Sequence, residues 1–240
     1  MNTKVLLAVF KRNFVSYFAN PTGYVFITVF VWLCVFAGFW PDEFFNANLA
    51  NLGYLNRYFP FIMLVFIPAI AMSIWADERR QGTDELLLTA PVTPGQIVAA
   101  KWLGLMAVAG GMLGSTLVFT TILGAYGDPE RGPIVTGLLG LVLVVAALTS
   151  LGLAVSTLTE SQVMAAVASF VLFLGLFVVE WPADAAQGWV RSVLVGLSLP
   201  ARYQGFAKGL VASPDVAYFL SLTALGWFAA RAAIASQRWR

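Results

Sequence analysis

Runs of roughly twenty apolar residues, separated by short polar breaks, leave this chain few folds to choose from. A helix that crosses a bilayer needs about 20 such residues. Six segments read as spans: 22–40, 58–76, 94–125, 134–158, 162–181 and 215–234. The strict alternation of apolar and polar residues that marks a membrane barrel is absent. Helices, which satisfy their own backbone polar groups, are then the structures that can stand in hydrocarbon. Composition agrees: 60% of the 240 residues are hydrophobic and 11% are charged, with a mean hydropathy of +0.82. Soluble domains carry about 25% charged residues. The expected fold class is an all-α integral membrane protein, a single domain over 1–240, with six transmembrane helices preceded by an N-terminal amphipathic interfacial helix.

Charge and chemistry-bearing residues narrow the function. Fourteen basic and twelve acidic residues leave a net charge of +2, which gives no case for nucleic acid. The chain has no histidine and one cysteine, Cys34. The commonest metal ligand and general base is therefore missing, and no internal disulfide can form. No Walker A pattern is present, so ATP is not expected to bind this chain by that route. The spans carry almost no ionisable residues away from their ends, whereas proton- and ion-coupled carriers need them. No catalytic residue, metal site or cofactor is expected on this chain, and its energy should come from a partner.

Topology follows from lysine and arginine in the flanks. With the N-terminus inside, Lys4, Lys11, Arg12, Arg79, Arg80, Lys101, Arg231, Arg238 and Arg240 lie on the cytoplasmic side; Arg57, Arg131, Arg191, Arg202 and Lys208 lie outside. Both termini are expected in the cytoplasm. The opening residues do not read as a secretory signal, because "VLLAVF" ends at Lys11 and Arg12. Over 1–20, Leu6, Phe10, Phe14, Tyr17 and Phe18 recur at helical spacing, with Lys4, Lys11 and Arg12 on the other side. That pattern predicts a helix lying in the lipid interface. Outside, 182–214 is too interrupted to span and too greasy for a solvated loop. Either short helices dipping into the outer leaflet, with Trp189, Tyr203 and Phe206 at the interface, or a folded cap packed on the bundle fits that stretch, and composition does not separate the two.

Charge is concentrated in "WADERRQGTDELLLTAPVTPGQ", where Asp77, Glu78, Arg79, Arg80, Asp84 and Glu85 fall within nine positions. The second helix is expected to run out through Arg80 and to break at Gly82, since glycine costs about 1 kcal/mol in a helix interior. Thr83 can cap a short helix whose first turn holds Asp84 and Glu85, and Pro91 ends it. Thr93, Pro94 and Gln96 then form the start of the next helix as cap, first residue and capping-box partner. That third helix is about 48 Å long over 94–125, longer than the hydrocarbon core of about 30 Å. Its first turns should stand in the cytoplasm with Lys101 near the headgroups. Projected from the membrane, the short helix with Leu86, Leu87 and Leu88 looks built to enter a groove on another protein.

Two weaker patterns accompany it. The third span is rich in small residues (Gly104, Ala107, Gly110, Gly111, Gly114, Ser115), followed by Thr116, Thr120 and Thr121, which reads as a close-packing face in preference to a conduit face with hydroxyls. In "STLTESQ", Thr159 and Gln162 are placed for another capping box.

The stretch "ADERRQGTDELLLTAPVTPGQIVAAKWLG" resembles the first cytoplasmic loop of ABC-2-type transporter permeases. "FANPTGYVF", "STLTESQVMAA" and "ARYQGFAKGLV…DVAYFLSLTALGWF" are similar to other parts of that family. Within it, the chain looks nearest to the permeases of gliding-motility and copper-assembly systems. The resemblance implies a permease subunit of the bacterial inner membrane. It would form a transmembrane path with a second permease, identical or related, and be driven by two cytoplasmic ATPase subunits that hold the ATP and magnesium. It implies a coupling helix within 77–93 seated in a cleft of the ATPase, with Glu78, Arg79, Gly82, Thr83, Glu85, Leu86, Leu87 and Pro91 carrying the contact. Apart from the resemblance, the short outer loops argue against a large outer domain on this chain, so any extracytoplasmic substrate-binding protein would be a separate partner, and membrane lipid is a further one. The alternative reading is a scaffold or assembly factor that recruits a cytoplasmic partner through the same loop and transports nothing.

Overall fold

Long apolar runs with few β-branched clusters and no interior polar breaks form helices. The computed structural model describes residues 3–19, 21–39, 53–80, 82, 92–126 and 130–237, and among these no strand occurs. The helices are α1 (Thr3–Ala19), α2 (Pro21–Phe39), α3 (Gly53–Ala71), α4 (Ser73–Arg80) and α5 (Pro94–Tyr126). They continue as α6 (Arg131–Leu158), α7 (Gln162–Val178), α8 (Gly188–Leu197), α9 (Leu199–Ala207) and α10 (Ser213–Gln237), with a 3-10 turn at Trp181–Asp184.

Among the described residues, five stretches are long and apolar enough to cross a membrane: Asn56–Arg80, Pro94–Ile122, Arg131–Leu158, Gln162–Ala183 and Ser213–Gln237. A sixth arises if α1 and α2, which meet at a bend of 73°, are counted as one broken span. The second predicted span begins earlier and ends later than 58–76, and it is interrupted at Met72. Pro60 and Pro68 both lie inside α3, which continues past them to Ala71, and the Met72 N–H still reaches the Pro68 carbonyl at 2.9 Å.

Helix α6 is the axis of the bundle. Leu141, Val144, Val145, Leu148 and Leu153 are buried along it, and α3, α5, α7, α9 and α10 all pack on it. Helix α10 approaches closest. A Cβ at Gly226 would lie 2.6 Å from the backbone carbon of Ser150, so only glycine lets the two backbones meet there. The third-span glycines behave differently from the expectation. Gly110, Gly111 and Gly114 are exposed, with no atom within 4 Å of a built Cβ. The close packing expected of them falls instead on α6 and α10, because the small face of α5 points away from the rest of this chain.

The segment after α7 divides into two short helices, as expected of 182–214, but their roles differ. Helix α8 has no buried residue, and Trp189 is exposed. Helix α9 is part of the core. Tyr203 and Phe206, at the lipid interface on the first of the two readings, are buried against Gly140 of α6. Thr136 Oγ1 donates to the Phe206 carbonyl at 2.7 Å, and Arg202 pairs with Asp215 of α10 at 2.8 Å. Burial also pushes the Tyr203 phenol above its usual range, so the hydroxyl remains a neutral donor.

Candidate functional site

Helix α4 is the stem on which the charged loop stands. Its start is capped by side chains from other helices. At the break the Met72 N–H returns to the Pro68 carbonyl at 2.9 Å. Ser156 Oγ of α6 donates to the Met72 carbonyl at 3.2 Å, and accepts from the Trp75 and Ala76 N–H groups at 3.3 Å each. A serine normally caps its own helix; here one on a neighbouring helix serves both sides of a break. Tyr17 of α1 donates to the Ile70 carbonyl and lies 3.2 Å from Ser73 Oγ. Buried backbone groups left open by a break must find partners, and two different helices, α6 and α1, provide them here.

The carboxylate of Glu78 adds a third, α5, and a second tie to α1. Its Oε2 is 2.6 Å from Lys101 Nζ of α5, and its Oε1 pairs with Arg12 of α1. Lys101 has no exposed surface at all. The same ammonium donates to the Ile74 carbonyl at 2.5 Å and sits 4.4 Å from the centre of the Trp75 ring. Its enclosure between α4 and α5 adds to the expected place near the headgroups, which concerned depth alone. The lysine lies on the second turn of α5, directly opposite α4, where a carboxylate, a carbonyl and an indole face replace its water. Charge buried in this way persists only when paired and hydrogen-bonded, and cation–π contact adds to the pairing.

The rest of α4 is tied to the turn between α6 and α7. Gln162 Nε2 donates to Asp77. Arg79 reaches the Thr157 carbonyl at 3.5 Å and stands 3.9 Å from Glu160, whose side chain is largely exposed. Gln237, at the end of α10, donates to the same Thr157 carbonyl at 3.0 Å. The capping box expected from Thr159 and Gln162 does not form. Ser161 caps α7 by accepting from the Met164 N–H at 3.5 Å, because Gln162 is drawn to Asp77.

Beyond Arg80 the helix stops as expected. Gly82 has φ +67°, its N–H bonds the Arg79 carbonyl at 3.1 Å, and nothing crowds it. Thr83, Glu85, Leu86, Leu87 and Pro91 lie outside the described residues, as does the short helix expected around them. On the far side Pro94 opens α5, and the Thr93 N–H donates to Gln96 Oε1 at 3.2 Å, one half of the expected capping box.

Of the predicted site residues, Glu78, Arg79 and Gly82 are thus placed on one stem. Sequence reasoning missed Arg12, Tyr17, Lys101, Ser156 and Gln162, which hold that stem. One signal was available: Lys101 is the lone charge among the apolar residues that open the third span. The others look like ordinary interfacial or span residues until their partners are known.

Comparison with known proteins agrees with this architecture. The chain is 32% identical over 118 residues to the Probable multidrug ABC transporter permease YbhR of Escherichia coli strain K12, covering 49% of this chain and 30% of that relative. It matches the corresponding protein of Escherichia coli O157:H7 to the same extent. The chain therefore spans less than a third of the length of these relatives. The profile of the ABC-2 family transporter proteins matches residues 8–187, a region that holds the broken second helix, the stem and its clamps. An all-helical bundle of membrane-length spans with this profile across most of its length belongs to the ABC-2 family of transporter membrane proteins.

Proposed function

We propose that this chain is the permease subunit of an ATP-binding-cassette transporter, driven through the segment 77–93 by a cytoplasmic ATPase. The observation that carries the reading is the clamping of α4. Glu78 links it to α5 and α1, Ser156 and Arg79 link it to α6, and Asp77 links it to α7. A push on the loop would then be delivered to four helices together, which a solvated connector would not need. Family membership supports the same role.

On this reading the charged end of the bundle is cytoplasmic, α1 lies along the inner interface, and six spans cross the bacterial inner membrane. Glu78, Arg79, Gly82, Thr83, Glu85, Leu86, Leu87 and Pro91 form the coupling surface. Leucines would fill an apolar cleft of the ATPase, while Gly82 and Pro91 set the bend. A second permease completes the path, and ATP and magnesium stay on the ATPase. The likeness to a multidrug permease favours an amphiphilic cargo over an ion. The gliding-motility and copper-assembly grouping remains part of the proposal.

The test is co-purification from native membranes followed by reconstitution. An ATP-binding-cassette protein should come with the chain and be lost with Leu87→Asp. In vesicles, Gly82→Pro should leave ATP hydrolysis running while transport falls. Recovery of no ATPase with a folded chain would overturn the reading in favour of a scaffold.

A further inference from the structure

At the end of the bundle away from α4, a cavity of about 690 Å³ opens between α3, the start of α6, the end of α7 and α9. That size is in the range of small-molecule sites. Its lining is of two kinds. Phe61, Phe177, Trp181 and Pro60 form an apolar wall, with the Phe61 and Phe177 rings 5.1 Å apart. Phe61 and Trp181 are exposed in spite of their size. Two cations, Arg57 and Lys208, and two carboxylates, Glu130 and Glu180, line the remainder.

These four charges do not neutralise one another. Among the described residues, neither Arg57, Lys208 nor Glu130 forms an ion pair. Glu180 accepts one hydrogen bond, from Ser198 Oγ at 2.9 Å. Behind them sits Asn56, only 5% exposed, which also lines the cavity and whose Nδ2 has no hydrogen-bond partner. That Nδ2 faces α6, 2.8 Å from where a Cβ on Gly137 would stand, so Asn56 backs the cavity wall.

We propose that this cavity binds an amphiphile with a zwitterionic head, an amine joined to a phosphate. The charge count selects that class. A purely anionic head would face Glu130 and Glu180, and a purely cationic one would face Arg57 and Lys208. A head carrying both signs can satisfy each pair. The apolar body lies against Phe61, Phe177 and Trp181. The cavity mouth is at the ends of the spans, where aromatic side chains meet the membrane interface, and a phospholipid head is the nearest ligand of this kind. The assignment does not rest on the coupling reading, since binding is measured on the chain without an ATPase.

The experiment uses the full chain, delipidated in detergent, titrated with short-chain phosphatidylethanolamine and read by native mass spectrometry. One saturable molecule per chain is expected. Lys208→Gln, on an exposed turn that tolerates change, and Glu180→Gln should each weaken it about tenfold. Arg191→Ala, on α8 outside the cavity, should leave it unchanged. Phosphatidylglycerol of the same chain length and hexylamine should bind at least about tenfold more weakly. Free phosphoethanolamine binding far more weakly than the lipid assigns the site to a membrane lipid. Equal binding keeps the zwitterionic site and assigns it to a soluble ligand. Phosphatidylglycerol bound as tightly as phosphatidylethanolamine, or no loss in either variant, would overturn the proposal.

Discussion

Lys101 and Glu78 are 23 residues apart, and their side chains meet at 2.6 Å with the lysine wholly enclosed. Removing one member of a buried pair leaves the other charged and dry, which costs about 3–5 kcal/mol. Glu78→Gln and Lys101→Met should each lower the unfolding temperature of the purified chain sharply. The double variant should lose less than the two together, because no charge is stranded. A double-mutant cycle on thermal unfolding in detergent reads the coupling directly, and simple additivity would show that the pair is not the clamp described.

Arg12 holds the other oxygen of Glu78 from a half-exposed position. Solvent screens such pairs, so Arg12→Ala should cost less than about 1 kcal/mol. Raised salt should erase the difference from wild type, as compared in the same melting assay. An effect as large as that of Lys101→Met would mean that solvent does not screen this pair.

Ser156 caps the restart of α4 and supports the carbonyl before it. Ser156→Ala leaves the Trp75 and Ala76 N–H groups and the Met72 carbonyl without this partner, and should cost about 1–2 kcal/mol. Hydrogen exchange should rise locally at 73–76 before it rises in α6. Unchanged protection at those amides would rule out the cap.

Gly226 and Gly111 look alike in sequence and should respond oppositely. Gly226→Val forces α10 away from Ser150, costing about 1–3 kcal/mol or more. Gly111→Ala meets open space, and should be neutral or stabilising by up to about 1 kcal/mol through helix propensity. Melting of the two variants side by side decides the matter.

Gly82 stops α4 in the left-handed region. Gly82→Ala should cost roughly 1–2 kcal/mol locally, whereas Gly82→Asn, which tolerates that region, should cost less. Limited proteolysis across 80–92 reports the difference; equal cutting of both variants would show that the turn does not need this geometry.

Hydropathy alone placed the helices, because burial of apolar side chains in lipid needs only a long enough run. Local punctuation placed the stop at Gly82 and the start at Thr93–Gln96, because caps and left-handed residues act within one turn. The same reasoning did not reach the partners of Lys101, Tyr203, Phe206 and Gln162. Each has a partner far along the chain that changes its surroundings, and periodicity carries no trace of that partner. The break at Met72 was hidden in the same way: the tyrosine, serine and lysine that make it tolerable come from three other helices. The sequence by itself therefore determined an all-helical membrane chain and where its charge is gathered. Only the tertiary structure decided which residues hold that charge in place, because ion pairs and trans caps depend on distances in space that no local pattern encodes.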